Sequence, residues 1–418
     1  MKKSLFHNII YLLIYVLLFL AGLKVVNSIF QYGDYWAHYQ FSRDLLALSS
    51  ESLESLLSRI EFPHIISYPL WHIATLIIQT IIEPIQSFLG RTEIITGVLA
   101  SATSTSLFIL AAYYVHKKYF LFYLSGKNNA FISRLLAFTI IFAGPWYIPF
   151  INRNYYLGQG ILTAWHNPTH ITVKFVAVIC FYLSASYLDK KSIRNKSLWM
   201  KLGLLLVISA FIKPSFYQMF VPGLALYCLI LLIQSKGKMF ITCIGAGLSV
   251  IPVCIIALIQ INMSFGSTTG GLGIKFLRVI NEYSDYPVWS TILFLIFPIF
   301  VLIASVVQRY KDSKLCLAWC AFISGWGQYL LFYIQGDGWW KADFAWGYYL
   351  SVELVFAASI IAFWNICKKR KNMVLAITGW GLYGIHVVCG FLYYCSLLRP
   401  YPDISGGIKL SYIQYLFQ

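Results

Sequence analysis

Eleven long apolar runs leave this chain few folds to choose from. They fall at roughly 6–27, 94–115, 135–150, 170–188, 199–212, 216–234, 240–261, 289–308, 314–334, 348–366 and 373–394. Most reach or approach the roughly 20 residues that a helix needs to cross the hydrocarbon core of a bilayer. In lipid every backbone N–H and C=O must be satisfied internally, which leaves helices or a closed barrel. No alternation of period two runs through these segments, and that argues against the barrel. Two of them, 135–150 and 199–212, are short and end at proline-containing segments. The expectation is an all-α polytopic membrane protein with about eleven transmembrane helices, residues 1–418 forming a single integral-membrane domain.

Charge sets the expected sidedness. The chain carries 32 Lys and Arg against 15 Asp and Glu, a formal +17. In a soluble protein that excess would suggest nucleic acid; among short loops between apolar runs it is the positive-inside pattern. Alternating the spans puts Lys2/Lys3, Lys117, Lys118, Lys127, Arg134, Lys190, Lys191, Arg194, Lys196, Lys201, Lys236, Lys238, Arg309, Lys311, Lys314 and 368–371 on one face. These are 20 of the 32 basic residues, accompanied only by Asp189 and Asp312. The reading is a multi-pass plasma (inner) membrane protein with a cytoplasmic N-terminus and an extracytoplasmic active face, partnered by membrane lipids and not by nucleic acid. The first span follows Lys2 and Lys3 without a small-residue cleavage site, so it is expected to stay as an anchor.

The long connections are all assigned outside: 28–93, 151–169, 262–288, 335–347 and the segment from 395. In the first outer loop, 40–60 sets Leu45, Leu46, Leu48, Leu53, Leu56 and Leu57 among polar residues, as in an interfacial amphipathic helix. The run 65–82 is apolar but contains Pro69, His72 and Gln79. Counting it as a span would invert every later loop, so it is expected to re-enter or lie on the membrane. The nine Cys are scattered, without a disulfide or zinc pattern. No phosphate-binding Gly loop, GxSxG elbow or HExxH appears, which argues against an ATP-driven pump or a membrane zinc protease.

Four polar clusters interrupt the apolar background. Asp34 follows the first span, flanked by Tyr32, Tyr35 and Trp36; a carboxylate there can take a proton from an attacking hydroxyl, or belong to an interfacial aromatic belt. His38 lies one helical turn on, placed to orient that carboxylate or meet a phosphate. The second cluster, 152–170, holds Arg153, Asn154, His166, Asn167 and His170, with Pro168 able to open the next span. Lys174 falls one turn inside that span, where a charge needs a partner. His166 and His170 make only a weak metal pair, because no nearby carboxylate or Cys completes a set. Third, Lys213-Pro214-Ser215 joins two spans in a turn too short to flex, holding a cation at the mouth of the bundle. Fourth, Asp337, Trp339, Trp340 and Lys341 combine ring faces with hydrogen-bonding groups, as sugar sites do and as interfacial anchors also do. Glu353 follows inside the next span and requires a cation, with Lys341, Lys213 or Lys174 available.

This constellation resembles the GT-C superfamily of integral-membrane glycosyltransferases, the kind that uses polyprenyl-phosphate sugars. The likeness rests on Gly33-Asp34 just after the first span, amphipathic helices in a long first outer loop, the Lys213-Pro214-Ser215 turn and the many-span core with outer aromatic loops. It implies a GT-C-like fold, a lipid-phosphate-linked sugar as donor, and a bacterial cell-surface glycan or glycolipid as acceptor. It implies Asp34 as general base, with outer Lys, Arg and His residues gripping the donor phosphate. No protein-held metal is expected, though a divalent cation at the phosphate is compatible with the chemistry. The first loop lacks the paired acids common in the superfamily, and the absence of a large soluble C-terminal domain points away from protein N-glycosylation. A polymerase of lipid-linked repeat units and a flippase or transporter of lipid-linked glycans are the competing expectations. A transporter would call for paired mid-membrane charges and two similar halves.

Overall fold

The computed structural model describes residues 2–47, 67–90, 93–124, 129–189, 196–265 and 271–418. Among the described residues the chain is overwhelmingly helical, and eight helices are long and apolar enough to cross a membrane. In order the first half runs α1 (Lys2–Ile29), α2 (Tyr35–Ala47), α3 (Leu70–Phe88), α4 (Glu93–Tyr123), α5 (Asn129–Phe142), the single turn α6 (Tyr156–Gln159), α7 (Pro168–Leu188) and α8 (Lys196–Ala210). The second half runs α9 (Ser215–Gln234), α10 (Phe240–Phe265), α11 (Ile280–Tyr283), α12 (Pro287–Val307), α13 (Ser313–Leu331), α14 (Ala345–Arg370) and α15 (Met373–Leu397). Every apolar run of the sequence thus lies wholly or largely in a helix except 135–150, which is helical over its first half. Two of these helices, α5 and α8, are shorter apolar elements.

The short run at 135–150 is helical only to Phe142 and continues without helix to Trp146 and beyond. Gly144 precedes Pro145, and the proline ring disfavours helical dihedrals in the residue before it. The freed backbone is satisfied by α15, where the Gly144 N–H donates to the His386 carbonyl at 2.9 Å. Gly390 permits this approach, because a β-carbon there would overlap the Phe142 carbonyl.

α14 is the central element. Its window of membrane-crossing length is 83% buried, against 22% for those of α1, α10 and α15. It packs chiefly on α13, α12 and α9, and also meets α7 and α4. The sequence reason is size: Ala345, Gly347, Ser351, Ala357, Ala358, Ser359 and Ala362 let neighbouring helices approach closely. The peripheral helices present large apolar side chains outward, as lipid-covered helices do.

α3 shows the same inversion sharply. Trp71, His72, Thr75 and Gln79 face inward, while Ile73, Ile77, Ile81 and Ile85 are exposed at intervals of one turn. Thr75 shares a hydrogen bond with Ser104 at 2.9 Å, and Trp71 Nε1 donates to Thr105 Oγ1 at 3.4 Å on α4. Polar groups turned in and isoleucines turned out suit a helix whose solvent is lipid. Of the amphipathic helix expected over 40–60, the part to Ala47 is helical, in α2; residues 48–66 lie outside the described residues.

A short β-ribbon is among the elements that the sequence reading does not anticipate. Leu272–Ile274 pairs antiparallel with Phe332–Ile334, in the register Leu272↔Ile334 and Ile274↔Phe332. A three-residue ribbon carries too little pattern to be read from sequence. It clips the loop after α10 to the end of α13, and the Trp339–Lys341 turn follows it.

Candidate functional site

Asn167 organises the site. It is the N-cap of α7, with Pro168 at the first helical position, the order in which Asn and Pro most readily start a helix. Its Oδ1 accepts from the His170 N–H at 2.8 Å and from Thr169 Oγ1 at 2.9 Å. The same oxygen takes Lys213 Nζ at 3.2 Å. Three donors on one oxygen define the orientation of the amide, since a flip would set its NH2 group against an ammonium and an N–H. The Nδ2 group is thereby aimed the other way, and it donates to Asp34 Oδ2 at 2.6 Å.

Asp34 is half-buried at the head of α2. Its backbone N–H donates to the His166 carbonyl at 3.1 Å. Gly33 allows that approach, for a β-carbon at 33 would come within 3.1 Å of both His166 Cβ and its carbonyl oxygen. Tyr35 Oη ties the same two segments together through the Trp165 carbonyl at 3.1 Å. The end of the first span and the start of α7 are therefore laced by main-chain and side-chain bonds on both sides of Asp34.

Lys213 comes from the short turn between α8 and α9. Its ammonium is held by the Asn167 oxygen, by Thr169 Oγ1 at 3.1 Å and by the face of Trp346, 4.3 Å from the ring centroid. Burial pushes its pKa down to about 8, with Asp34 and Asp343 pulling it back up through space. The cation is thus poorly solvated, held by neutral oxygens and a ring, and a phosphate would be a far stronger partner.

His166 stands beside them, its ring 4.4 Å from Tyr156 and 6.0 Å from Trp346 between centroids. Burial pushes its pKa down to about 4, Asp34 opposing and Lys213 reinforcing the shift. At neutral pH it is an uncharged imidazole whose buried Nδ1 has no hydrogen-bond partner among the described residues. It can donate or accept one hydrogen bond there, but it brings no positive charge. His170 packs on Trp346 at 5.5 Å, and its Nε2 lies 3.2 Å from the Leu162 carbonyl.

The other expected residues sit apart. His38 Nδ1 is 2.9 Å from His72 Nε2, a buried imidazole pair joining α2 to α3. Lys174 and Glu353 lie in the helix core, paired at 3.1 Å; of the three cations considered for Glu353, Lys174 is the one that meets it. His116 Nε2 adds a 3.0 Å contact to Glu353, and Lys174 Nζ also donates to Thr163 Oγ1 at 2.8 Å. A cavity of about 10 Å³, room for roughly one water, adjoins the pair. Arg153 is exposed, while Asn154 Nδ2 donates to the Tyr283 carbonyl at 3.1 Å. Asp337, Trp340 and Lys341 are exposed near the ribbon, and Trp339 is covered by the Arg278 guanidinium at 4.3 Å. Among the described residues, no three His, Cys, Asp or Glu side chains cluster in a way that would hold a metal ion.

Trp346, Thr169, Tyr156 and Asp343 belong to the site but were not among the residues singled out from sequence. Trp346 and Asp343 lie in the same 335–347 connection as the fourth polar cluster, and only folding shows that they, and not Asp337, act on Lys213. Comparison with family models, with curated proteins and with solved structures finds no match to this chain in any of the three.

Proposed function

We propose that the protein is a membrane glycosyltransferase that moves a sugar from a polyprenyl-phosphate carrier to a glycan or glycolipid hydroxyl on the extracytoplasmic face. In this reading all eleven apolar helices span the bilayer in a GT-C-like arrangement. The observation that carries it is the single amide of Asn167, which holds a carboxylate on its nitrogen and a buried cation on its oxygen. Asp34 takes the proton of the acceptor hydroxyl as its oxygen bonds to the anomeric carbon. The bond from that carbon to the phosphate oxygen breaks, and the polyprenyl phosphate leaves as an anion against Lys213. Such a leaving group needs a positive charge more than a proton, which suits a site where Lys213 supplies the cation and Asp34 the base. Trp346 and Tyr156 supply ring faces for a sugar.

The test is transfer by the full chain in lipid nanodiscs, supplied with sugar-labelled polyprenyl-phosphate hexose and a cell-envelope glycan extract. The expected result is label leaving the donor, free polyprenyl phosphate accumulating, and both stopping in Asp34→Asn. In a parallel liposome assay, labelled donor crossing the bilayer intact, with no covalent product, would replace this reading with a flippase.

A further inference from the structure

At the far end of α4 from Glu93, a cavity of about 200 Å³ opens between the last turns of α4 and the first turns of α5. Lys117 is about 36 Å along the helix from Glu93, at 1.5 Å per residue, and Glu93 bonds Arg43 of α2 at 3.0 Å. The cavity is therefore remote from Asp34. On the positive-inside reading it faces the cytoplasmic leaflet.

Its walls carry Lys117, Lys118 and Arg134, with no acidic residue among them. Tyr rings hold the cations in place: Lys117 Nζ donates to Tyr15 Oη at 2.7 Å and lies 4.5 Å from the Tyr114 centroid, Lys118 lies 5.4 Å from the same ring, and Arg134 stacks on Tyr11. Two polar groups in the wall are buried without a hydrogen-bond partner among the described residues, Ser133 Oγ and Arg134 Nη1. Ser133 is wholly buried. An anion seated in the cavity would satisfy both. They lie in the first turns of α5, whose N-terminal backbone amides favour an anion.

The rim decides which anion. Leu121 of the lining is 46% exposed, and Phe131 and Leu135, each next in sequence to a lining residue of α5, are 49% and 46% exposed. An apolar rim around a cationic cavity suits a molecule with a charged head and hydrocarbon chains. The volume is below the roughly 300–1,000 Å³ of pockets that enclose a drug-sized ligand, so it holds a headgroup and leaves the chains outside.

We propose that this cavity binds the phosphate headgroup of an anionic phospholipid from the adjacent leaflet. Lys117, Lys118 and Arg134 neutralise the phosphate, Ser133 Oγ donates to it, and the acyl chains lie over Leu121, Phe131 and Leu135. The bound lipid stitches α4 to α5.

Native mass spectrometry of the delipidated full chain tests this, with dioleoyl phosphatidylglycerol, dioleoyl phosphatidylcholine and inorganic phosphate as probes. Phosphatidylglycerol adducts should form at concentrations at least tenfold below those needed for phosphatidylcholine, with inorganic phosphate unable to displace them. Lys118→Gln, an exposed and structurally harmless change, should weaken phosphatidylglycerol about fivefold, the order expected for one cation near a charged membrane surface. The triple variant Lys117→Gln/Lys118→Gln/Arg134→Gln should bind the two lipids alike, and Arg134→Lys should keep most of the preference. Asp34→Asn should bind as the parent does. Equal retention of both lipids by the parent, an unchanged preference in Lys118→Gln, or displacement by inorganic phosphate at equal concentration would each overturn the assignment.

Discussion

Asn167 Nδ2 donates to Asp34 Oδ2 at 2.6 Å while the oxygen of the same amide receives Lys213 Nζ. An acid from the end of the first span and a cation from a turn nearly half the chain away are thereby one amide group apart. Since the amide cannot rotate without losing three donors, the two charged groups are held in a single mutual geometry.

Asp34→Asn preserves shape and can still bond Asn167, so it should fold and insert as the parent does. Transfer from the lipid-phosphate donor should fall by about 10²–10⁴, the usual contribution of a general base. Turnover in nanodiscs checks this alongside the thermal unfolding midpoint, and near-normal transfer would remove Asp34 from the mechanism.

Lys213 contributes a pH dependence whose sign follows from its depressed pKa of about 8. Below that value the ammonium is charged and competent to bind phosphate; above it the charge is lost. kcat/KM for the donor should therefore decline as pH rises through about 8, approaching tenfold per unit beyond it. Lys213→Arg stays charged and should abolish this alkaline limb while keeping part of the activity. Lys213→Ala should raise the donor requirement far more than the acceptor requirement, and equal changes in both would assign the residue to the turn alone.

Asn167→Ala removes a helix cap, worth about 1 kcal/mol, and also the link between acid and cation. Its distinctive signature is in coupling. In the parent background, the effects of Asp34→Asn and Lys213→Ala should be non-additive by roughly 0.5–3 kcal/mol. In the Asn167→Ala background they should become additive. Unchanged coupling would mean that the amide is only a cap.

Glu353→Gln leaves Lys174 buried without its carboxylate and should cost about 3–5 kcal/mol of stability, as breaking a buried pair commonly does. The double change Lys174→Met/Glu353→Gln should recover much of that loss. Unfolding followed in detergent, together with activity at a temperature where each variant stays folded, separates a core role from a substrate-binding one. Activity lost in a stable double variant would return the pair to the substrate site.

The positions of the helices were legible in the sequence because lipid imposes a simple rule: a segment that crosses must be long, apolar and internally hydrogen-bonded. That rule acts locally, so each of the eleven runs contributes a helix, and among the described residues eight helices are long and apolar enough to cross a membrane. It did not place the end of the run at 135–150, which the structure puts at Phe142, before Gly144-Pro145. The polar clusters were legible for the same reason, since Asp34, Asn167 and Lys213 stand out against an apolar background. Which polar residues meet depends on contacts between segments far apart in sequence. Local pattern carries no record of these, so Lys174 found Glu353, His38 found His72, and Trp346 and Asp343 came to Lys213 only through tertiary packing. The chain's chemistry was written residue by residue, but its geometry was set by helix packing around α14, where small side chains let distant segments close on one another.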